Sequence, residues 1–412
     1  MDSNQRKSVR ALRGLGRRSE VRELGRAAAA RGITAWIVGG ALRDRLLGRS
    51  TPEIDAAVSH DAEGLAADLE RAGLGRAVFL SRDRPGPRVF RIAGRRPLDV
   101  AEIEGGGIET DLRRRDFTVN ALALALGSGE VLDPFGGLED IRGRRLRLVR
   151  AENLAEDPLR ILRAARLYAT LELVPEPAVL AASRRVADLF ADAAPERISG
   201  ELSKLLASPR AAPALGWAAR AGILPAALGR VLSPPRAAAL ARALAVLDDP
   251  GIRRLPPDRR RRLRLGLLAV RLGLSPATTR AWLQDRRWSR VESQEAASLC
   301  GLVAVARGIR SRRDAWRWVL EAGGLAVDAA ALLARSGRAA DRRRARSLRS
   351  LARAPRRLVA VDGRDIQRWL DLAAGPRVGE LLEAARVAAA MGEVSNRREA
   401  RHWLIGQVRK AL

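Results

Sequence analysis

The sequence predicts an α+β head, a small mixed sheet with flanking helices, followed by an all-α neck, body and tail. Three observations carry this reading. Short β-rich runs ("TAWIVGG", "EIDAAV", "RAVFLS", "RVFRIA" and "PLDVAEI") all lie before residue 104. Helical patterns separate the first of them: "DAEGLAADLERAG" puts Leu65, Leu69 and Ala72 on one face. Beyond about residue 145 the texture changes to long Ala/Leu/Arg segments with helical spacing. They are punctuated by "VPEP", "SPP" and "LPPDRR". The expected division is a head over 1–145, a helical neck over 146–225, a helical body over 226–333, and a basic linker with a helical tail over 334–412. Within the last, "ARSGRAADRRRARSLRSLARAPRR" (334–357) is low in complexity, as either a mobile linker or an exposed basic helix.

The chain has 412 residues and a formal charge of +29. Of its 76 basic residues all but Lys7, Lys204 and Lys410 are arginines, which points to a GC-rich coding bias in residue type. That bias leaves the sign unexplained, because Asp and Glu total only 47. Such an excess favours a polyanionic partner, nucleic acid above all. Cys300 is the only cysteine, which excludes a disulfide or a cysteine-ligated zinc site within one chain. "MDSNQRKSVRALRGLGRR" has no apolar core and no later stretch is apolar enough to span a bilayer. A cytoplasmic protein without a membrane partner is expected.

The stretch "WIVGGALRDRLLGRSTPEIDAAV" (36–58) reads as strand, glycine turn, short basic helix and second strand. Gly39 and Gly40 leave backbone N–H groups open to a phosphate at a helix N-terminus. Arg43, one turn along, adds a charge-assisted contact. Glu53 and Asp55, two apart on the second strand, share a face and suit Mg²⁺, which takes oxygen ligands alongside substrate phosphates. Asp99 in "RPLDVAEI" is the candidate third carboxylate, to activate an attacking hydroxyl. The competing reading is a tight turn followed by a solvated strand.

This stretch resembles the first signature of the tRNA nucleotidyltransferase and bacterial poly(A) polymerase family, class II of the polymerase-β-like nucleotidyltransferases. Further signatures follow in the family's order. "DLRRRDFTVNALAL" (111–124) resembles the segment that contacts ribose and triphosphate, with Arg115, Asp116 and Asn120 in the matching places. "DPFGGLEDIRGRRLR" (133–147) resembles the hinge between head and neck, and "EDPLRILRAARL" (156–167) the neck helix that reads the base. "PERISGELSKLL" (195–206) and the tail "GPRVGELLEAARVAAAMGEVSNRREA" (375–400) are weaker matches. For Asp116 the alternative is a helix cap.

The neck segment also makes sense unaided. Asp157, Arg160, Arg163 and Arg166 recur every three residues, drifting slowly round one face. A carboxylate beside a guanidinium offers acceptor and donor together, as the edge of cytosine or adenine requires. The alternative is a surface helix laced with ion pairs. The resemblance implies that Asp157 and Arg160 stand in for a template and that the substrates are ATP and CTP. It also implies Mg²⁺ on Glu53 and Asp55, and the 3′ end of tRNA or another structured RNA as acceptor. Poly(A), CC-only and A-only products, and a non-catalytic RNA-binding protein, are the rival readings.

Two departures stand out. The family's pair is normally Asp-x-Asp, where this chain has Glu53-x-Asp55. An arginine common beyond the third carboxylate is missing, with Glu104 nearby. His60 and His402 are the only histidines, so a His-Asp phosphohydrolase domain cannot be assembled. Trp282, Trp288, Trp316 and Trp318 lie among arginines, where helix packing is favoured over stacking on RNA bases.

Overall fold

Apolar alternation organises the first of two units in the computed structural model, residues 1–242, with 243–412 forming the second. The structure describes residues 3–80, 87–229, 240, 249–336, 339–354 and 359–411. In the first unit α1 (Ser3–Arg13) and α2 (Ser19–Ala30) lead into β1 (Ala35–Val38). Next come α3 (Gly40–Leu46), β2 (Ile54–Val58), α4 (Ala62–Arg71), β3 (Arg76–Phe79), β4 (Val89–Ala93), β5 (Leu98–Glu102) and α5 (Ile108–Arg113). A 3-10 turn at Thr118–Asn120 precedes β6 (Ala123–Ala125), β7 (Val131–Leu132) and α6 (Gly137–Arg142).

The sheet runs β3-β4-β5-β2-β1-β6-β7. Only β2 and β5 pair in parallel, so the sheet is mixed, as expected. Along β2 the side chains divide by parity. Ile54, Ala56 and Val58 are buried, while Asp55 is exposed on the opposite face from them. Leu65 and Leu69 of α4 are fully buried, and α4 packs on β3, β4 and β5. Each leucine contributes about 2 kcal/mol by leaving water. On the Asp55 face, Val38, the cross-strand partner of Asp55, joins Ala57, Leu112, Ala121 and Ala123 in an apolar cluster.

Beyond the head the described residues are mainly helical, with one correction: β8 (Arg145–Leu146) pairs with β9 (Val174–Pro175), a two-stranded sheet the helical pattern did not announce. Between them lie α7 (Asn153–Glu156) and α8 (Leu159–Leu171). After them come α9 (Pro177–Arg185), α10 (Pro195–Ala207), α11 (Ala211–Arg220) and α12 (Leu224–Ala227). The expected neck helix is broken at Asp157, which is extended (φ −141°, ψ 91°), and restarts behind Pro158. Proline has no N–H to give to a continuing helix but fits the start of a new one.

The second unit is all helix among its described residues. It comprises α13 (Pro250–Arg253), α14 (Pro257–Arg271), α15 (Pro276–Asp285), α16 (Arg290–Gly308), α17 (Arg312–Ala322) and α18 (Ala326–Ala334). Then follow α19 (Ala339–Arg353), α20 (Gly363–Leu370), α21 (Pro376–Met391) and α22 (Arg397–Ala411). Trp282, Trp288, Trp316 and Trp318 are all buried in its core, and Trp318 Nε1 donates to Leu302 O at 2.9 Å. Packing, not base stacking, is their role. The basic segment 334–357 contains α19, so its described part is a helix; 337–338 and 355–358, like "SPP" at 233–235, lie outside the described residues. No described helix is long and apolar enough to cross a membrane.

Candidate active site

The site starts at the end of β1. Gly39 takes φ +71°, and a Cβ there would stand 2.6 Å from Arg115 Nη1, so only glycine lets that guanidinium lie over the turn. Arg115 is held from the far side by Asp111 Oδ2, which accepts from Nε at 3.1 Å and Nη2 at 2.9 Å. Buried Asn153 fixes the backbone beneath it, donating to Arg113 O (2.9 Å) and Arg115 O (2.7 Å). Arg43 of α3 is buried. Its Nε donates to Asp44 Oδ1 at 2.8 Å and its Nη1 to Asn120 Oδ1. Burial, opposed by Asp44 and reinforced by the charge of Arg166, draws its pKa down.

Register assembles the carboxylates. Asp55 stands directly opposite Asp99 across the parallel pair, and Arg91 of β4 stands opposite Asp99 on the other side. Arg91 Nε and Nη2 donate to Asp99 Oδ1 and Oδ2, both at 2.8 Å, and this pairing pushes the guanidinium pKa up. Asp55 opens to the cleft, yet crowding by the walls, then Asp99 and Glu53, pushes its carboxyl above the usual range against Arg115 and Arg91. Glu53 departs from expectation: it occupies a bend just ahead of β2, not a strand position. Pro52 precedes it, and the strand's first bond at this end is Ile54 N–H to Pro97 O at 3.2 Å. The charge of Glu53 still reaches Asp55 and Arg91. Among the described residues no group of three or more potential ligands is gathered to hold a metal ion. Mg²⁺ ordinarily needs only one or two carboxylates, the rest being water and substrate phosphate.

A continuous polar chain joins head to neck. Asp116, almost fully buried, accepts from Asn120 Nδ2 (2.8 Å), from the Phe117 N–H (2.8 Å) and from Arg163 Nη1 (3.1 Å). Burial alone would raise this carboxyl; the Arg163 charge and those three hydrogen bonds hold it below its usual value instead. Asp116 is not the cap of the 3-10 turn, whose N-cap is Phe117 without a side-chain cap bond; it accepts from the Phe117 N–H just ahead of the turn and pairs across to the neck. Arg163 continues to Glu201 of α10 (3.6 Å), which also accepts from Arg166 Nε. Arg160 Nη1 donates to Asn153 O at 2.8 Å, and Asp157 Oδ2 accepts from Arg197 Nη2 at 2.8 Å.

One cleft of about 570 Å³ is lined by Gly39, Gly40, Arg43, Asp55, Arg115, Asp116, Asn120, Arg160, Arg163 and Arg166. Three expected residues do not line it: Glu53 in its bend, Asp99 turned to Arg91, and Asp157 turned to Arg197. Glu104 borders the cleft and pairs with Arg114 at 2.7 Å. Sequence reasoning missed Asp111, Arg91, Arg197, Glu201 and Lys204. For α10 the signal was readable, since 197, 201 and 204 fall at i, i+4 and i+7 of one helix face. For Arg91 it was not, because the pairing depends on register.

Comparison with known proteins follows the same lines. Residues 35–147 match the poly(A) polymerase head domain, and 173–228 match the probable RNA and SrmB-binding site of polymerase A. The chain is 40% identical over 199 residues to a CC-adding tRNA nucleotidyltransferase of Geobacter sulfurreducens. That alignment spans 48% of this chain and about half, 46%, of the relative's length. It is 32% identical over 401 residues to a CCA-adding enzyme of Geobacillus stearothermophilus, covering 91% of this chain and 93% of that one. The crystal structure of the Bacillus stearothermophilus CCA-adding enzyme in complex with CTP superposes with a TM-score of 0.71 at 28% identity. It covers 96% of this chain and 99% of that one.

Proposed function

The chain belongs to the family of class II tRNA nucleotidyltransferases and bacterial poly(A) polymerases, and from that premise we propose that it adds CMP and AMP, taken from CTP and ATP, to the 3′ end of tRNA with release of pyrophosphate. The observation that carries this reading is the register of Asp55 against Asp99, on the sheet face that opens toward the Gly39 turn, Arg115 and the neck arginines.

The crowded carboxylates suit a hard cation, since burial first, then the charges of Asp99 and Glu53, hold Asp55 above its usual range in spite of Arg115 and Arg91. Asp55, with Glu53 beside it, would hold Mg²⁺. When bound, the ion supplies charge neutralisation at the triphosphate and makes the attacking hydroxyl more acidic. Arg115, lying over the Gly39 turn, orients the phosphates. Asp116 and Asn120 hold the ribose, and Arg160 offers a donor to the base edge. Asp99, its plane fixed by Arg91, adds negative charge beside Asp55. Catalysis is mainly positioning and charge neutralisation.

A CC-only product is the second reading, favoured by the 40% identity to a CC-adding enzyme; A-only and poly(A) addition use the same motifs. A non-catalytic RNA-binding role is supported by Asp99, both of whose oxygens are taken by Arg91. Truncated tRNA incubated with each labelled nucleoside triphosphate and Mg²⁺ separates them. CTP and ATP are incorporated in the main reading, CTP alone or ATP alone in the narrower ones, ATP in long runs by a poly(A) polymerase, and none by a binding protein.

A further inference from the structure

Lysine is nearly absent from this chain, where three of 76 basic residues retain it. Lys7 and Lys410 lie near the ends of the sequence. Lys204 alone is internal, and it lines the candidate active-site cleft. Arginine fills almost every other basic position, and this one carries an ammonium. The two groups differ physically: guanidinium is a planar fork that seeks carboxylates, and ammonium is a compact charge with three rotatable donors.

Its neighbours on α10 show why the distinction matters. Arg197, Glu201 and Lys204 share one helix face. Arg197 pairs with Asp157, and Glu201 pairs with Arg163 and Arg166. The pairs thus ascend together along both elements, from the base-reading end toward Arg166. Arg166 in turn lies near enough to Arg43, beside the Gly39 turn, to oppose its charge. Lys204 therefore stands about 10 Å beyond Arg197 by helix rise, at the phosphate end of the cleft. It is exposed and pairs with no carboxylate among the described residues. An arginine here would reach Glu201 one turn back, as many arginines in this chain do with acids at i−3, such as Arg71 with Asp68 and Arg317 with Asp314. That would draw Glu201 away from Arg163 and Arg166.

We propose that Lys204 contacts the triphosphate of the incoming nucleotide as a dedicated point charge. The assignment rests on the nucleotidyl-transfer reading and adds a residue to its substrate site. It is tested by equilibrium binding of CTP, CMP and cytidine to the full chain, wild type and Lys204→Met, without RNA and without turnover. The variant should lose CTP affinity by about ten- to a hundredfold, the size of one charge-assisted contact, lose less for CMP, and keep cytidine binding unchanged. Lys204→Arg should recover only part of the loss. Equal affinities of wild type and Lys204→Met for CTP, with CTP bound more tightly than cytidine by both, would overturn the assignment while leaving the nucleotide site standing. A wild-type chain that binds none of the three overturns the nucleotidyl-transfer reading and this assignment together.

Discussion

Arg91 closes both oxygens of Asp99 with two 2.8 Å hydrogen bonds, one strand away from Asp55. The pair makes Asp99 a carboxylate of fixed plane and places a permanent positive charge beside the candidate metal site. Arg91 is also one of two arginines that pull the Asp55 pKa down against burial, Asp99 and Glu53. Arg91→Met removes that pull and also frees the full charge of Asp99, so both changes make Asp55 ionise at higher pH. If transfer needs ionised Asp55, the acid limb of the pH–rate profile moves to higher pH in the variant. An acid limb that stays where the wild type has it would disconnect Arg91 from Asp55.

Asp116 supplies a stability prediction. Its carboxyl is depressed in the folded chain, so its contribution is fully present above the unfolded value near pH 4 and is lost as pH falls through the folded value. Asp116→Asn leaves Arg163 without its buried partner and should cost about 3 kcal/mol at pH 7. Denaturant titrations at several pH values should show that difference constant above about pH 5 and shrinking below pH 4. A difference independent of pH would mean that Asp116 acts through its hydrogen-bonding shape alone.

Gly39→Ala should damage transfer more than stability. The new Cβ meets the Arg115 guanidinium at 2.6 Å in a positive-φ conformation (φ +71°, ψ −132°) that costs an L residue about 1–3 kcal/mol. Arg115 must then leave the turn. The expected result is a folded protein with a modestly lowered melting temperature and nucleotide turnover reduced by about 100-fold. Full activity in this variant would remove Arg115 from the phosphate site.

How far the sequence disclosed this arrangement depends on how local each feature is. The Gly39 turn, the buried Leu65 and Leu69 and the exposed Asp55 between buried neighbours are local, and the structure has them; Ala72, expected on the same face as the leucines, is the exposed C-cap of α4. Glu53 fell outside the strand because Pro52 delays the ladder by a residue. The neck helix broke at Asp157 because Pro158 restarts it. Arg91 against Asp99 is set by cross-strand register, and Glu201 against Arg163 and Arg166 by helix packing. Neither pair has a signature in one segment read alone. The composition disclosed an anionic partner but not which arginines meet it.

For the second unit, α19 offers a defined answer to that question. Arg342, Arg346, Arg349 and Arg353 are exposed at i, i+4, i+7 and i+11 of one face. Arg349 has its pKa lowered by partial burial and by the charges of Arg353 and Arg335. Such crowding favours an anion. Replacing all four by glutamine should weaken RNA binding and reduce the slope of log affinity against log salt by up to about 3, at roughly 0.7 per lost phosphate contact. An unchanged slope would place the RNA elsewhere.

The central claim is that Asp55 works in nucleotidyl transfer to tRNA. The most direct measurement is incorporation of labelled CTP and ATP onto tRNA lacking its 3′ terminus, with tRNA binding measured on the same proteins, for wild type, Asp55→Ala, Glu53→Ala and Glu53→Asp. Wild type should incorporate both nucleotides and neither GTP nor UTP. Asp55→Ala and Glu53→Ala should lose at least about 100-fold, Glu53→Asp should keep or gain activity, and all four should bind tRNA alike. Transfer that survives Asp55→Ala, or a wild type that binds tRNA and incorporates nothing, would contradict the account.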